Sequence, residues 1–367
     1  KAGEKAQSIF SNEYAIHCFS QAISLIEKMS DTKEHKEQKL DALMKLYRVY
    51  LIIGPQDKAI EVAENAIKIA EEISTPRMVA RICYHIANSL GVLNKFDEGR
   101  MWSEKGLKAL GDDKICPEAA LLNFSAWFAY GRLGNELKSK EYQAKNVDMI
   151  KEIEYFDYIF VIYVGIRWSS GKAEDAVAWD HEWIEVCSQH NNQLGLAEGY
   201  IYLGVDSYYG KIGTLFESIE YCRKGLAIAK RIGYTLFVLT GSCKLGQMLI
   251  EAGEKIEAEQ HLREAIAIMD SWGKQFDGFY TVYAYKYLAD ILTERGELEQ
   301  AHHYLVKGLR YSSKNEIQDF LTSLKDCCQK MGKPEEFLAI CNAELERRDR
   351  DEEKQIIKNA LADFQKQ

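Results

Sequence analysis

Small and apolar residues recur along this chain at the spacing of a helix rather than a strand. In AIHCFSQAI, residues 15–23, Ala15, Phe19 and Ala22 fall at intervals of four and three, which places them on one helical face. The pattern returns at Ala59/Ala63/Ala66, Gly99/Ser103/Gly106, Ser218/Cys222/Gly225, Ala258/Leu262/Ala265 and Ala301/Leu305/Gly308. Weaker copies stand at Ser139/Gln143/Asn146 and Ala176/Asp180/Trp183. The first members of these sets are 44, 40, 40, 37, 42, 40 and 43 residues apart, a period near 40. Each set follows a turn signal such as GPQDK, LGNEL, SSGKAED, AGEK or RGELEQ, and most turns follow a second helical segment, as in YHIANSL, YIYLGV, CKLGQML and YKYLADIL. The predicted unit is therefore a helix, a short turn and a second helix. Small residues on the second helix allow close approach of the first, and neither buries its apolar stripe until the next hairpin stacks on it.

Composition agrees with an all-α fold. The chain is 47% hydrophobic and 28% charged, which is ordinary for a globular protein. Only four prolines interrupt it (Pro55, Pro76, Pro117, Pro334), leaving room for long helices. With 47 basic and 56 acidic residues, a formal charge of −9, the chain lacks the basic face expected of a nucleic-acid binder. No apolar run approaches the roughly 20 residues that span a bilayer, so no membrane partner and a cytoplasmic location are expected. The nine cysteines show no CxxC spacing and read as reduced core thiols. The sequence opens on KAGEKAQSIF, without an initiator methionine, which raises the expectation of a piece of a longer protein.

Catalytic and metal-binding patterns are weak. WDHEWIEVC (179–187) has its next histidine at His190, not at the fourth position that would put two ligands on one helical face. His302 and His303 are adjacent and point apart on a helix. GDDK (111–114) lacks the ending of a phosphate loop, and no GxSxG elbow occurs. The expectation is a non-enzymatic segment with no cofactor and no metal. A catalytic reading would require distant residues to meet, for example Asp206, His181 and Arg167.

KLGQMLIEAGEKIEAEQHLREAI (244–266) and YLADILTERGELEQAHHYLVKGL (287–309) resemble the tetratricopeptide (TPR) family, with Leu-Gly-like residues on the first helix and an Ala-x-x-x-Leu-x-x-small pattern on the second. The period is longer than that family's usual ~34, and its closing proline is missing. The resemblance implies an α-solenoid, a right-handed superhelix of about eight TPR-like hairpins, over residues 1–348. Hairpins are expected at about 1–30, 39–74, 78–111, 118–153, 155–190, 194–233, 235–273, 279–313 and 316–348. A capping helix is expected over 349–367, where Ile357, Leu361 and Phe364 share a stripe. Asp180 and Trp183 stand where small or apolar residues are expected, so hairpin 155–190 should pack loosely or displace its second helix.

Carrying the family register onto the first helices gives an inner wall. It is aromatic in the middle, with Tyr84, Asn88, Phe124, Phe128, Tyr158, Trp168, Tyr208 and Tyr209, and polar later, with Gln247, Lys286, Asp290 and Glu294. Arg132 and Arg167 stand near helix ends and would offer carboxylate or phosphate contacts. Such a wall suits a peptide or small ligand; the other reading of its aromatics is that they fill interhelical space.

The opening AGEKAQSIFSNEYAIHCFSQAISLIEKMSDT is similar to the start of arrays that follow an ATPase module in nucleotide cyclases and related kinases. Long units of this kind also resemble C-terminal arrays of signalling (STAND-type) ATPases. These resemblances imply a non-catalytic sensor or scaffold that binds a protein, peptide or small effector and regulates an upstream ATPase, cyclase, kinase or transcription module. The alternative is a stand-alone regulator similar to bacterial quorum-peptide receptors.

Overall fold

The structure is a computed structural model that describes residues 2–8, 11–54, 56–73, 76–113, 115–149, 172–272, 281–312 and 314–366. All eighteen regular elements among the described residues are α-helices. They are α1 (Ala2–Ser8), α2 (Asn12–Ile26), α3 (Lys33–Ile53), α4 (Gln56–Ile73), α5 (Pro76–Val92), α6 (Phe96–Leu110), α7 (Pro117–Arg132), α8 (Glu136–Met149) and α9 (Ala173–Gln189). There follow α10 (Gln193–Gly210), α11 (Leu215–Ile232), α12 (Thr235–Glu251), α13 (Lys255–Trp272), α14 (Tyr283–Glu294), α15 (Leu298–Tyr311), α16 (Lys314–Lys330), α17 (Pro334–Arg347) and α18 (Asp351–Gln365). Helices pair as hairpins, α3 with α4, α5 with α6, α7 with α8, α10 with α11, and so on to α16 with α17. The architecture is an all-α solenoid.

The repeated small residues lie where helices touch. Ala15, Ala59, Ala63, Ala66, Ser103, Cys222, Ala258, Ala265 and Ala301 are all fully buried. At Gly225 on α11, an added Cβ would sit 2.7 Å from the backbone nitrogen of Ile201 and 2.8 Å from the carbonyl oxygen of Ala197. Those atoms belong to the first helix of the same hairpin and cannot swing aside. Gly225→Ala is therefore expected to lower stability by about 1–3 kcal/mol, measured by chemical denaturation; an unchanged midpoint would show that the two helices part at no cost. Glycine also serves the turns. Gly253 and Gly296 both adopt φ +82, a left-handed conformation that lets the first helix end and the second begin within four residues.

Trp183 packs closely against the next helix, α10; the first half of its own hairpin, expected over 155–171, lies outside the described residues. Trp183 is only 2% exposed, and its indole N–H donates to the carbonyl oxygen of Gly195 at 2.9 Å. Space comes from the next helix: a Cβ on Gly195 would lie 2.8 Å from the indole, and one on Gly199 2.9 Å from it. At this contact the large residue stands on α9 and the small ones on α10. Asp180 is also buried, at 5% exposure.

The chain divides into two compact units, Lys1–Val238 and Leu239–Gln367. In the first, a core runs from Leu40 and Tyr47 through Ile86 and Leu122 to Trp183 and Cys187. Its hairpins coil tightly enough that the Asn12 side-chain amide, at the start of α2, donates to the carbonyl oxygen of Ile232 at 3.4 Å, across 220 residues. In the second, ion pairs step from one hairpin to the next: Lys307 of α15 to Asp270 of α13 at 2.6 Å, and Lys333, just before α17, to Glu299 of α15 at 3.0 Å, over 37 and 34 residues. These pairs are solvent-exposed and add little energy, but each spans about one repeat. The last helix, α18, buries Ile357 completely and places Phe364 4.9 Å from Phe337. Eight of the nine cysteines are buried, all are free, and burial raises the Cys83 and Cys341 thiols to about 12.

Candidate functional site

First helices of neighbouring hairpins also touch one another, as α5 and α7 do, and the residues expected to face inward lie along them. In the first unit α3 and α5 meet at one seam. Tyr47 donates its hydroxyl to the His85 carbonyl at 3.1 Å, lies 3.3 Å from the Ser89 hydroxyl, and packs its ring 4.6 Å from the imidazole. Beside this seam, Arg81, Tyr84 and Asn88 follow one another along α5 at helical spacing. Tyr84 is buried, at 3% exposure, and Asn88 is half-buried. Arg81 reaches the Glu118 carboxylate through Nε at 3.1 Å and an Nη at 2.5 Å, so α5 and α7 are joined by a guanidinium on a buried carboxylate. Burial, with Arg81 and Arg48 nearby, pushes His85 down to about 3, so its imidazole is neutral.

Further along the first unit, Glu198 on α10 accepts a hydrogen bond from the Tyr234 hydroxyl at 2.6 Å. Burial raises the Glu198 carboxyl to about 8, against a smaller opposing effect of that hydrogen bond. Burial and Glu198 also push the Tyr234 phenol upward, with smaller contributions from Tyr202 and from Tyr84 of α5. The coil of the first unit thus brings Tyr84 and the Glu198–Tyr234 pair into one electrostatic neighbourhood. No sequence signal marks Glu198 as different from the many solvated glutamates of this chain.

The remaining aromatic candidates divide by position. Phe124 and Phe128 on α7 stack at 6.5 Å, and Phe128 meets Phe96 of α6 edge-on at 5.8 Å. The Arg132 guanidinium lies over that same Phe96 ring, 5.4 Å from its centre, in a cation–π contact. Tyr208 and Tyr209 pack edge to face at 5.0 Å near the end of α10; Tyr208 is half-buried and Tyr209 is 54% exposed. Tyr158, Arg167 and Trp168 lie outside the described residues.

In the second unit the polar stripe is internally paired. Lys286 bridges to Asp290 at 2.7 Å, and the Ser323 hydroxyl of α16 donates to the other Asp290 oxygen at 3.1 Å. Glu294 accepts from Lys255, and Gln247 is half-buried. Of the residues a catalytic reading would need, His181 is exposed with its ring 6.2 Å from Tyr221, and Asp206 is half-buried on α10. Among the described residues no three His, Cys, Asp or Glu side chains are grouped to hold a metal ion, and no helix is long and apolar enough to cross a membrane.

Stacked helical hairpins with small residues at many of their close approaches define a TPR-like repeat protein, a class suited to protein interaction. Residues 243–269 match the tetratricopeptide repeat family. Among solved structures, the chain is similar to the APC/C hetero-tetramer Cut9–Hcn1, with a TM-score of 0.60, 13% identity, and coverage of 93% of this chain and 59% of that one. It therefore spans about three-fifths of that neighbour's length. It is also similar to a Rap protein complexed with Competence and Sporulation Factor, with a TM-score of 0.56, 13% identity, and coverage of 99% of this chain and 97% of that one. At this identity the likeness concerns the fold. No curated protein sequence matches the chain.

Proposed function

We propose that this chain is a non-catalytic regulator that binds a peptide or an extended protein segment along the inner wall of its first unit. The observation that carries this reading is the coil of that unit. It brings Tyr84 of α5 into the neighbourhood of the buried Glu198–Tyr234 pair from hairpins far apart in sequence; on this reading the half-buried Asn88 and Tyr208 supply the contacts, a ring giving area at low entropic cost and an amide reading a backbone. The near-complete mutual coverage with the Rap complex supports a stand-alone, peptide-responsive regulator. A bound segment would favour one pitch of the coil over others, and that bias is the output.

A second reading, a sensor array that regulates an upstream ATPase, cyclase or kinase module, rests on the opening AGEKAQSIFSNEYAIHCFSQAISLIEKMSDT. The sequence encoded upstream of Lys1 separates the two readings. An ATPase or cyclase module there supports the second, and a short helical output domain supports the first. For the binding role itself, a pool of fluorescent random decapeptides titrated against the full chain is expected to give saturable anisotropy with micromolar affinity or better. Replacement of Asn88 by alanine should weaken it at least several-fold. A flat titration with every pool would remove the basis of the peptide reading.

A further inference from the structure

The second helix of the first hairpin is covered over only part of its length. α1 has 7 residues and its partner α2 has 15, whereas α3 has 21 and runs beside the 18 of α4. Where α1 lies, the small-residue stripe of α2 is sealed: Ala15 and Phe19 are buried, and a Cβ on Gly3 would sit 2.7 Å from the Phe19 ring. Beyond Phe19 the same stripe continues without cover. Ala22 and Ile26 are half-buried, and beside them Leu25 is 63% and Met29 52% exposed. At the matching positions of α4, 44 residues on, Ala66 and Ala70 are fully buried and Ile69 packs against the core. The open stretch from Ala22 to Met29 corresponds to about two helical turns, or roughly 10 Å.

Charge along the neighbouring helix defines one rim of this stretch. The end of α2 lies beside the start of α3, where the Lys39 ammonium meets Glu27 at 2.8 Å. Lys45 marks the α3 edge next to α1, since it donates to Glu4 of α1 at 2.5 Å and to Asp41 at 2.7 Å. From Lys45 back towards the start of α3, that edge reads Asp41, Gln38 and Glu34, at the four- and three-residue steps of one helical face. All three are exposed, and Gln38 donates to Glu34 at 3.4 Å. Beside α1 the edge offers a base to an acid; past the start of α1 it is acidic.

We infer that this slot docks a basic amphipathic helix of a partner protein, laid in line with α1. A helix fits because a first helix fills the corresponding place in the next hairpin, and because it satisfies its own backbone groups. Its apolar side chains cover Ala22, Leu25, Ile26 and Met29. Lys or Arg on its flank meets Asp41 and Glu34, with the signs of the Lys45–Glu4 pair reversed. An acidic helix is excluded, because apolar contact would hold like charges together along the α3 rim. The slot lies on the second helix of its hairpin and is independent of the inner-wall reading.

The test uses the full chain and a fluorescent helical tetradecapeptide with Leu at every third or fourth position, Lys along one flank and Ala elsewhere. Its counterpart carries Glu for each Lys. The Lys peptide is expected to give saturable anisotropy at micromolar concentrations and to bind about ten-fold or more tightly than its counterpart. Leu25→Asp weakens that binding by about ten-fold or more, while the thermal midpoint stays that of the parent because Leu25 is exposed. Glu34→Gln/Asp41→Asn keeps the apolar contact and brings the two peptides within about three-fold of each other. Asn88→Ala changes neither, which separates the slot from the inner wall. Equal affinity for both peptides, binding that survives Leu25→Asp, or no binding of the Lys peptide overturns the inference. A dimer in sedimentation that is lost in Leu25→Asp gives the slot to a second copy. Loss of peptide binding once residues encoded upstream of Lys1 are added gives it to the chain's own helix, and either result overturns the partner.

Discussion

Replacing Arg348 by methionine is expected to cost about 3–5 kcal/mol and to release the C-terminal helix. The guanidinium is only 3% exposed on its side chain and is surrounded by acceptors. Its Nε donates to Glu344 at 3.0 Å; one Nη donates to Glu353 at 2.9 Å and to the carbonyl of Ser312 at 3.0 Å; the other donates to the carbonyl of Leu309 at 2.6 Å. Leu309 and Ser312 close α15, where helical carbonyls have no partner of their own, and Glu353 lies in the first turn of α18. One side chain therefore fastens α15, α17 and the cap together. Its removal leaves the largely buried Glu353 with only the exposed Arg350 at 4.0 Å, while Glu344 keeps Arg347 at 2.7 Å, and strips the last carbonyls of α15 of their donor; the weakened Glu353 and the orphaned carbonyls make the loss large. Hydrogen exchange over residues 334–365 should accelerate well before the rest of the second unit in Arg348→Met. The triple variant Arg348→Met/Glu344→Gln/Glu353→Gln should recover much of the loss, since no charge is then stranded. A change below about 1 kcal/mol would mean that the apolar contacts of Ile357 and Phe364 hold the cap unaided.

The second large effect is a pH dependence removed by Glu198→Gln. Burial holds the native carboxyl near 8, whereas in the unfolded chain it titrates near its ordinary value of 4.5. Between those values the native state holds one proton more than the unfolded state. Stability from this site therefore falls as pH rises, by about 1.4 kcal/mol per unit, and levels off above about pH 8. Glutamine still accepts the Tyr234 hydroxyl through its amide oxygen but has nothing to titrate. Subtracting the denaturation free energy of the parent from that of the variant at a series of pH values should give a difference that grows from pH 5 to pH 8. Parallel curves across this window would show that Glu198 is ionised in the native protein. Because Glu198 faces Tyr234 and the neighbourhood of Tyr84, the same titration would alter the proposed inner wall.

Much of the architecture is readable in one dimension because its cause is local. A second helix that must be approached closely requires a small residue at fixed intervals, and Ala59/Ala63/Ala66 and Ala258/Leu262/Ala265 record that requirement directly. Trp183 shows where the logic stops. An interface needs complementary volume, not small residues on a chosen side, and Gly195 and Gly199 satisfy it from the opposite helix. Phe128 and Arg132 make the same point for the wall: a register assigns them a place on the first helix, but the Phe96 ring that engages them comes from another hairpin.

By itself, then, the sequence determined the helices, their pairing into hairpins, the period near 40 and the sealing helix at the end, since each follows from spacing within a few turns of chain. The tertiary structure decided which charges matter. Arg348, Glu198 and Arg81 are indistinguishable along the chain from its other ionisable residues. Glu198 meets Tyr234 36 residues away, Arg81 meets Glu118 37 away, and Arg348 reaches Leu309 39 away. Burial and charge balance are properties of what the neighbouring hairpin brings, and only the stacked fold places one hairpin against the next.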